Sequence, residues 1–301
     1  MIAIVVLLCA WAAHVLLAAQ TSPATSSDPA VSTYPSAAAA VQALLAGNPR
    51  VVAFGEYHQQ KKTARIPSAL RHFTREILPV LRAAGATDLV VETWITTGSC
   101  GAVERKAVAR VDQATQRPAS TENEVVTLLR RAKPSGIEPR ILQVACKDYQ
   151  AVFASGRVDY DRLLHLTRDQ LETQIRAALQ RPGSRLVVSY GGALHNDLRP
   201  SNDLTWEPSK GSHALPRRYA AGEAGGLPTR LAPYAFGDAI ARAVNGKYLE
   251  IDLYVPEYIE KDASIRREPW YQKYLRAYRP KLVVVVPRGP GSYALIFPRR
   301  L

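Results

Sequence analysis

The stretch 185–195 has the sequence RLVVSYGGALH, an apolar, β-branched run that ends in two glycines and a histidine. An earlier stretch, 51–58, has the same plan with the sequence VVAFGEYH. Similar apolar runs follow one another along the chain at 88–93, 140–146, 248–254, 281–287 and 292–297. Short, near-continuous apolar runs of this kind are typical of strands in a sheet that is covered on both faces.

Segments with helical spacing of apolar residues lie between these runs, at 36–46, 67–84, 122–132, 160–180, 234–244 and 270–278. The alternation predicts an α/β fold, with a mainly parallel sheet flanked by helices. The last two apolar runs are joined by the short turn RGPG at 288–291. We therefore expect a C-terminal antiparallel hairpin at one edge of the sheet.

The domain organisation follows from composition. The chain has 301 residues, of which 47% are hydrophobic and 22% charged, which is ordinary globular usage and excludes fibrous or wholly disordered proteins. A linker rich in Ser, Thr, Pro and Ala is predicted at 20–35, followed by a single domain at 36–301. Within it, 196–233 is rich in Gly, Pro and Asn, which predicts a long loop or lid.

The first 19 residues contain no charged side chain and are almost entirely apolar. A run of this length is typical of a signal peptide or a membrane anchor. The small residues Ala18 and Ala19 favour cleavage there. We expect an exported protein, periplasmic or secreted, with anchoring through this segment as the alternative.

The net charge of +13 comes mainly from Arg residues that are scattered from Arg50 to Arg300. No block of five or six like charges occurs, so the sequence does not support nucleic-acid binding. A diffuse positive field favours anionic surfaces or substrates, and membrane surfaces are among them. The expected partner is a small-molecule or peptide substrate, and the sequence leaves the oligomeric state open.

The candidate catalytic residues are His58, His195, Glu56 and Glu92. His58 and His195 each end a Gly-x-x-His motif that follows an apolar run, and Glu92 ends the run at 88–93. Carboxyl ends of parallel strands meet at one edge of a sheet, where ligands bind. Two chemistries remain open. His58, His195 and Glu92 could hold a divalent metal ion, or a histidine could act as general base with a glutamate orienting its ring.

Neighbouring residues supply further predictions. Tyr57 and Tyr190 flank the motifs, and Arg199 and His213 lie in the predicted lid, so all four are candidate substrate contacts. Cys100 and Cys146 would remain after signal cleavage and are a candidate disulfide in an oxidising compartment.

The paired motifs GEYH at 55–58 and GALH at 192–195, together with Glu92, resemble the haem-binding-uptake/Tiki superfamily. That superfamily joins ChaN-like lipoproteins, TraB/Tiki proteins and erythromycin esterase-like enzymes. The Tiki branch implies a metal-dependent protease, and the esterase branch implies a histidine base assisted by glutamate. The ChaN branch implies a non-catalytic haem or tetrapyrrole binder. We expect a metal-dependent hydrolase of ester, lactone or peptide bonds, with a divalent metal ion as cofactor at the two-His/two-Glu site. A hydrolase based on histidine and glutamate alone stays open, and the haem binder is the alternative from another class.

Overall fold

A computed structural model describes residues 30–97, 118, 120–152, 159–200 and 234–299. In this part of the chain the strands are β1 Ser32–Tyr34, β2 Val51–Glu56, β3 Ala86–Thr97, β4 Glu138–Ala145, β5 Leu186–Gly192, β6 Tyr248–Tyr254, β7 Val283–Gly289 and β8 Ser292–Ile296. The helices are α1 Ala37–Leu44, α2 Ala69–His72, α3 Leu78–Ala83, α4 Ser120–Ala132, α5 Cys146–Val152, α6 Tyr160–Gln180, α7 Ala193–Asn196, α8 Gly237–Ala243, α9 Pro256–Ile259 and α10 Pro269–Ala277.

The described strands form one sheet in the order β1-β7-β8-β6-β2-β5-β3-β4. The six strands from β8 to β4 pair in parallel. β7 pairs antiparallel with β8, and β1 pairs antiparallel with β7. The predicted α/β fold with a mainly parallel sheet and a C-terminal antiparallel hairpin is confirmed.

Both faces of the central strands β2, β5 and β6 are buried, which explains why these strands are largely apolar on both alternating faces. Leu89 and Val90 are consecutive residues of β3, and each belongs to a different core cluster. The larger cluster includes Phe73 at the C-terminal end of α2, and the other packs against Leu171 of α6 and Ile240 of α8. Helices therefore cover the sheet from both sides.

Two local features differ from the sequence prediction. The predicted linker at 20–35 ends earlier, because Ser32–Tyr34 pairs with residues 283–285 as an edge strand that is too short to show a pattern. The sequence analysis assigns no helix to His195, which lies on the short helix α7. The signal segment at 1–19, residues 201–233 of the predicted lid, and Cys100 lie outside the described residues.

Two findings concern the predicted cellular location. Cys146, the first residue of α5, is disulfide-bonded, and its predicted partner Cys100 lies outside the described residues. None of the helices that the structure describes is long and apolar enough to cross a bilayer.

Candidate functional site

The two Gly-x-x-His motifs leave the sheet side by side. β2 and β5 are parallel neighbours, with Gly55 opposite Gly191 and Glu56 opposite Gly192. β3 pairs with the other side of β5 and places Val91 opposite Tyr190, one residue before Glu92. The strand register therefore brings Glu56, His58, Glu92 and His195 to one edge of the sheet, as the sequence predicts.

Glu56 holds the ring of His58. One carboxylate oxygen, Oε1, lies 2.5 Å from Nδ1 of His58, and the other, Oε2, accepts a hydrogen bond of 2.5 Å from the hydroxyl of Tyr190. Tyr190 and Glu56 are buried, whereas His58 is 23% exposed. A carboxylate only accepts, so Nδ1 carries the proton and, in the neutral ring, Nε2 carries the lone pair. This arrangement fixes both the tautomer and the orientation of the ring.

Gly192 leaves room for Nε2 of His58. A Cβ built on Gly192 would lie 2.9 Å from Nε2 of His58 and 3.5 Å from Oε2 of Glu92. The backbone at Gly192 has φ −69° and ψ 143°, a conformation open to any residue. Glycine is therefore needed here for the close approach of the imidazole and not for backbone conformation.

Glu92 is held at the end of β5. Its Oε2 accepts a hydrogen bond of 2.6 Å from the backbone N–H of Gly192. A Cβ on Gly191 would lie 2.5 Å from the same oxygen, so two consecutive glycines make room for Glu92 and His58. Both glycines of the motif at 191–195 therefore have a steric function at this site.

His195 lies on the other side of Glu92. Its Nδ1 donates to the carbonyl of Tyr234 at 2.8 Å, which leaves the lone pair of the neutral ring on Nε2. Nε2 is 4.0 Å from Oε1 of Glu92, and the imidazole is almost completely buried. The two histidines thus differ in exposure: His58 is partly exposed, whereas His195 is enclosed beside a carboxylate.

The remaining predicted contacts lie in different environments. Tyr57 donates a hydrogen bond of 2.5 Å to Asp262, and the hydroxyl of Tyr190 is directed at Glu56. Arg199 donates to the carbonyl of Pro290 at 3.2 Å, next to the β7–β8 turn. His213 lies outside the described residues. The roles of these four residues in substrate binding stay predictions.

The sequence analysis did not predict a charged network between β6 and β7, next to α7. Arg288 of β7 donates to Oε1 of Glu250 at 3.2 Å and also contacts Asp252, and both carboxylates are buried on β6. Burial raises the pKa of Glu250 to about 8, and the charge of Asp252 adds to the shift. Burial likewise raises the pKa of Asp252 to about 6, although Arg288 opposes this. The sequence contains a signal of this network, because YLEIDLY at 248–254 has two acidic residues within an otherwise apolar strand.

The network fixes the chain segment that follows His195. Oε2 of Glu250 accepts a hydrogen bond of 2.8 Å from the backbone N–H of Leu198. The hydroxyl of Tyr248 donates to the carbonyl of Asn196 at 2.7 Å. Both residues come from β6, so this strand positions the end of α7 and, through it, His195.

The fit of the site to a metal ion can be tested on the donor atoms. No group of three or more His, Cys, Asp or Glu side chains in the described ranges is placed to hold a metal ion. Nδ1 of His58 faces Glu56, and Nδ1 of His195 faces a carbonyl, so each ring offers only Nε2. The described donors do not form a metal-ligand set, and the predicted metal site at His58, His195 and Glu92 stays a prediction.

Comparison with known proteins adds little. No family model matches the chain, and no curated protein matches it. A solved structure described as the type III effector HopBA1 is similar, with 12% sequence identity and a TM-score of 0.40. The match covers 91% of this chain and 100% of the effector chain.

Proposed function

We propose that this chain is an exported hydrolase that cleaves an ester, lactone or peptide bond with water activated by His58. The observation that supports this most strongly is the contact of Glu56 with Nδ1 of His58, with Tyr190 bound to the other oxygen of the same carboxylate. A histidine whose ring is oriented by a carboxylate, with its second nitrogen unprotonated, is suited to act as general base.

In the proposed reaction, Nε2 of His58 accepts a proton from water as the water oxygen attacks the substrate carbonyl carbon. Glu56 stabilises the imidazolium that forms, because the ion pair is only 2.5 Å long and Glu56 is buried. The tetrahedral intermediate then collapses, and the bond to the leaving oxygen or nitrogen breaks.

His195 has a different proposed role. In its protonated form, with Glu92 as counter-charge 4.0 Å away, it donates the Nε2 proton to the leaving group. Return of the proton that His58 has gained to His195 then restores the starting state. Two carboxylate–histidine pairs in different environments thus divide the base and acid roles.

Location and partners remain part of the proposal. The apolar segment at 1–19 and the disulfide of Cys146 support export. The positive net charge supports an anionic or membrane-associated substrate of small-molecule or peptide type. Scattered Arg residues give no support for a nucleic-acid partner.

A panel of nitrophenyl esters, lactones and short peptides tests the proposal. We expect turnover of at least one probe class, and a loss of about 10²–10⁴-fold in kcat/KM for His58→Ala. His72→Ala is the matched control, because His72 also has a glutamate, Glu76, 2.7 Å from Nδ1 and has nearly the same exposure. Absence of turnover together with a saturable Soret change on adding haem would favour the ChaN-type alternative.

A further inference from the structure

The segment 234–237, which leads into α8, holds His195 at two points. The carbonyl of Tyr234 accepts the hydrogen bond of 2.8 Å from Nδ1 of His195. The backbone N–H of Phe236 donates to the carbonyl of His195, also at 2.8 Å. A Cβ built on Gly237 would lie 2.5 Å from the carbonyl oxygen of Asn196, so this segment packs directly against the end of α7. The position of the His195 ring therefore depends on where the segment lies.

Tyr234 is in turn anchored to a different helix. Its hydroxyl donates a hydrogen bond of 2.5 Å to Oδ1 of Asp161, in the first turn of α6. Its ring is buried, with the centroid 4.8 Å from that of His165, one turn further along α6. Burial and the bond to Asp161 raise the pKa of Tyr234, so the hydroxyl remains a donor at neutral pH. Helix α6 thus fixes the residue whose carbonyl orients His195.

The contact with the Tyr234 carbonyl decides which nitrogen of His195 faces the site. A carbonyl only accepts, so Nδ1 keeps its proton and Nε2 is the nitrogen that exchanges one. Nε2 lies 4.0 Å from Oε1 of Glu92, the counter-charge in the proposed reaction. A displaced carbonyl would let the neutral ring carry its proton on Nε2 instead, directed at Glu92.

We propose that Asp161 and Tyr234 are positioning residues for His195, acting in series from α6 through the Tyr234 carbonyl to Nδ1. This inference rests on the proposed hydrolase function, in which His195 is the acid, and it names the contacts that set the acid's position. An exposed carboxylate ordinarily contributes little. Asp161 differs because its partner is a buried tyrosine that is bonded to the proposed acid.

The leaving group of the substrate provides a kinetic test. Tyr234→Phe and Asp161→Ala each remove the hydrogen bond and leave an aromatic ring at position 234. We expect each variant to lower kcat at least about tenfold for an ethyl ester and less than about threefold for the nitrophenyl ester of the same acid, because nitrophenolate leaves without a proton from His195. A general distortion of the site would instead lower both rates equally.

Three further variants make the kinetic test specific. The double variant Tyr234→Phe/Asp161→Ala should lose no more activity than either single variant, since the two residues form one contact. Asp161→Asn keeps an acceptor oxygen and should restore most of the rate. Asp169→Ala is the matched control, because Asp169 lies on the same helix and its exposed fraction is 58%, against 57% for Asp161. This control should keep the wild-type rate.

The tautomer of His195, measured by ¹⁵N NMR of the imidazole ring, tests the proposal without turnover, and His195→Ala identifies the signals. We expect the neutral ring to be protonated on Nδ1 in wild type and to shift towards the Nε2-protonated form in Tyr234→Phe and Asp161→Ala, while circular dichroism stays unchanged. An unchanged NMR spectrum in both variants, or equal losses for the two leaving groups, would overturn the positioning role and leave the hydrolase function standing. A shifted tautomer in a protein that cleaves no ester, lactone or peptide would overturn the hydrolase function alone.

Discussion

Gly192→Ala is the most informative single substitution at the candidate site. The new methyl carbon would lie 2.9 Å from Nε2 of His58, closer than real Cβ contacts allow, so the imidazole has to move. Such a movement disturbs the 2.5 Å contact of Nδ1 with Glu56. A misplacement of about 1 Å in a reacting group costs on the order of 10²-fold in rate. A shift of a few tenths of an ångström restores an ordinary contact at Gly192, so we expect kcat/KM to fall by about tenfold.

The same substitution should leave the fold almost unchanged. The φ of −69° at Gly192 suits alanine. A glycine-to-alanine change at such a position stabilises the folded state by about 0.4–1 kcal/mol, because it reduces the conformational entropy of the unfolded chain. We expect the free energy of unfolding in urea to stay within about 1 kcal/mol of wild type. Gly47→Ala is the matched control, because a Cβ there meets nothing within 4 Å. A Gly192→Ala enzyme with wild-type kcat/KM would refute the reasoning.

Three further predictions concern the charged network and the metal question. Arg288→Leu removes the cation that contacts the buried Glu250 and Asp252, and it should lower the free energy of unfolding in urea by about 3–5 kcal/mol. Arg242→Leu, at an exposed ion pair, is the control and should change this free energy by less than about 1 kcal/mol. Similar values for the two variants would count against the network. Burial raises the pKa of Glu250 to about 8 in the folded protein, against an ordinary 4.5, so the folded state binds the proton more tightly than the unfolded state. The resulting contribution to the free energy of unfolding is complete below about pH 4.5 and is lost as the pH rises through about 8. Glu250→Gln should therefore flatten the plot of unfolding free energy against pH in this window, and an unchanged plot would show that Glu250 is not the titrating group. Dialysis against EDTA should leave ester hydrolysis unchanged, and a loss that zinc restores would instead favour the metal site of His58, His195 and Glu92.

Much of the fold could be predicted because burial on both sides of a parallel sheet leaves a direct pattern in the sequence. The runs at 51–55 and 185–191 are apolar on both alternating faces, and the turn at 288–291 marks the hairpin. Strand order leaves no such pattern. β5 lies between β2 and β3, a pairing between distant parts of the chain that no local sequence feature specifies.

The candidate site could be predicted only in part, for a similar reason. His58 and His195 follow strands, so their common edge is a consequence of parallel pairing. The contact of Tyr190 with Glu56 depends on the register of β2 and β5, which places both side chains on one face. Tyr234, whose carbonyl accepts a hydrogen bond from Nδ1 of His195, lies 39 residues further along the chain, and its approach depends on tertiary packing. Residues that reach a site from a separate element have no spacing signal.

The most direct test of the account is the ester hydrolysis rate of His58→Ala with and without added imidazole. If His58 is the general base held by Glu56, the variant loses about 10²–10⁴-fold in kcat/KM, and imidazole restores part of the rate in a saturable manner. Wild type should gain nothing from imidazole beyond the uncatalysed reaction. A folded His58→Ala variant that cleaves the ester at the wild-type rate without imidazole would contradict the account.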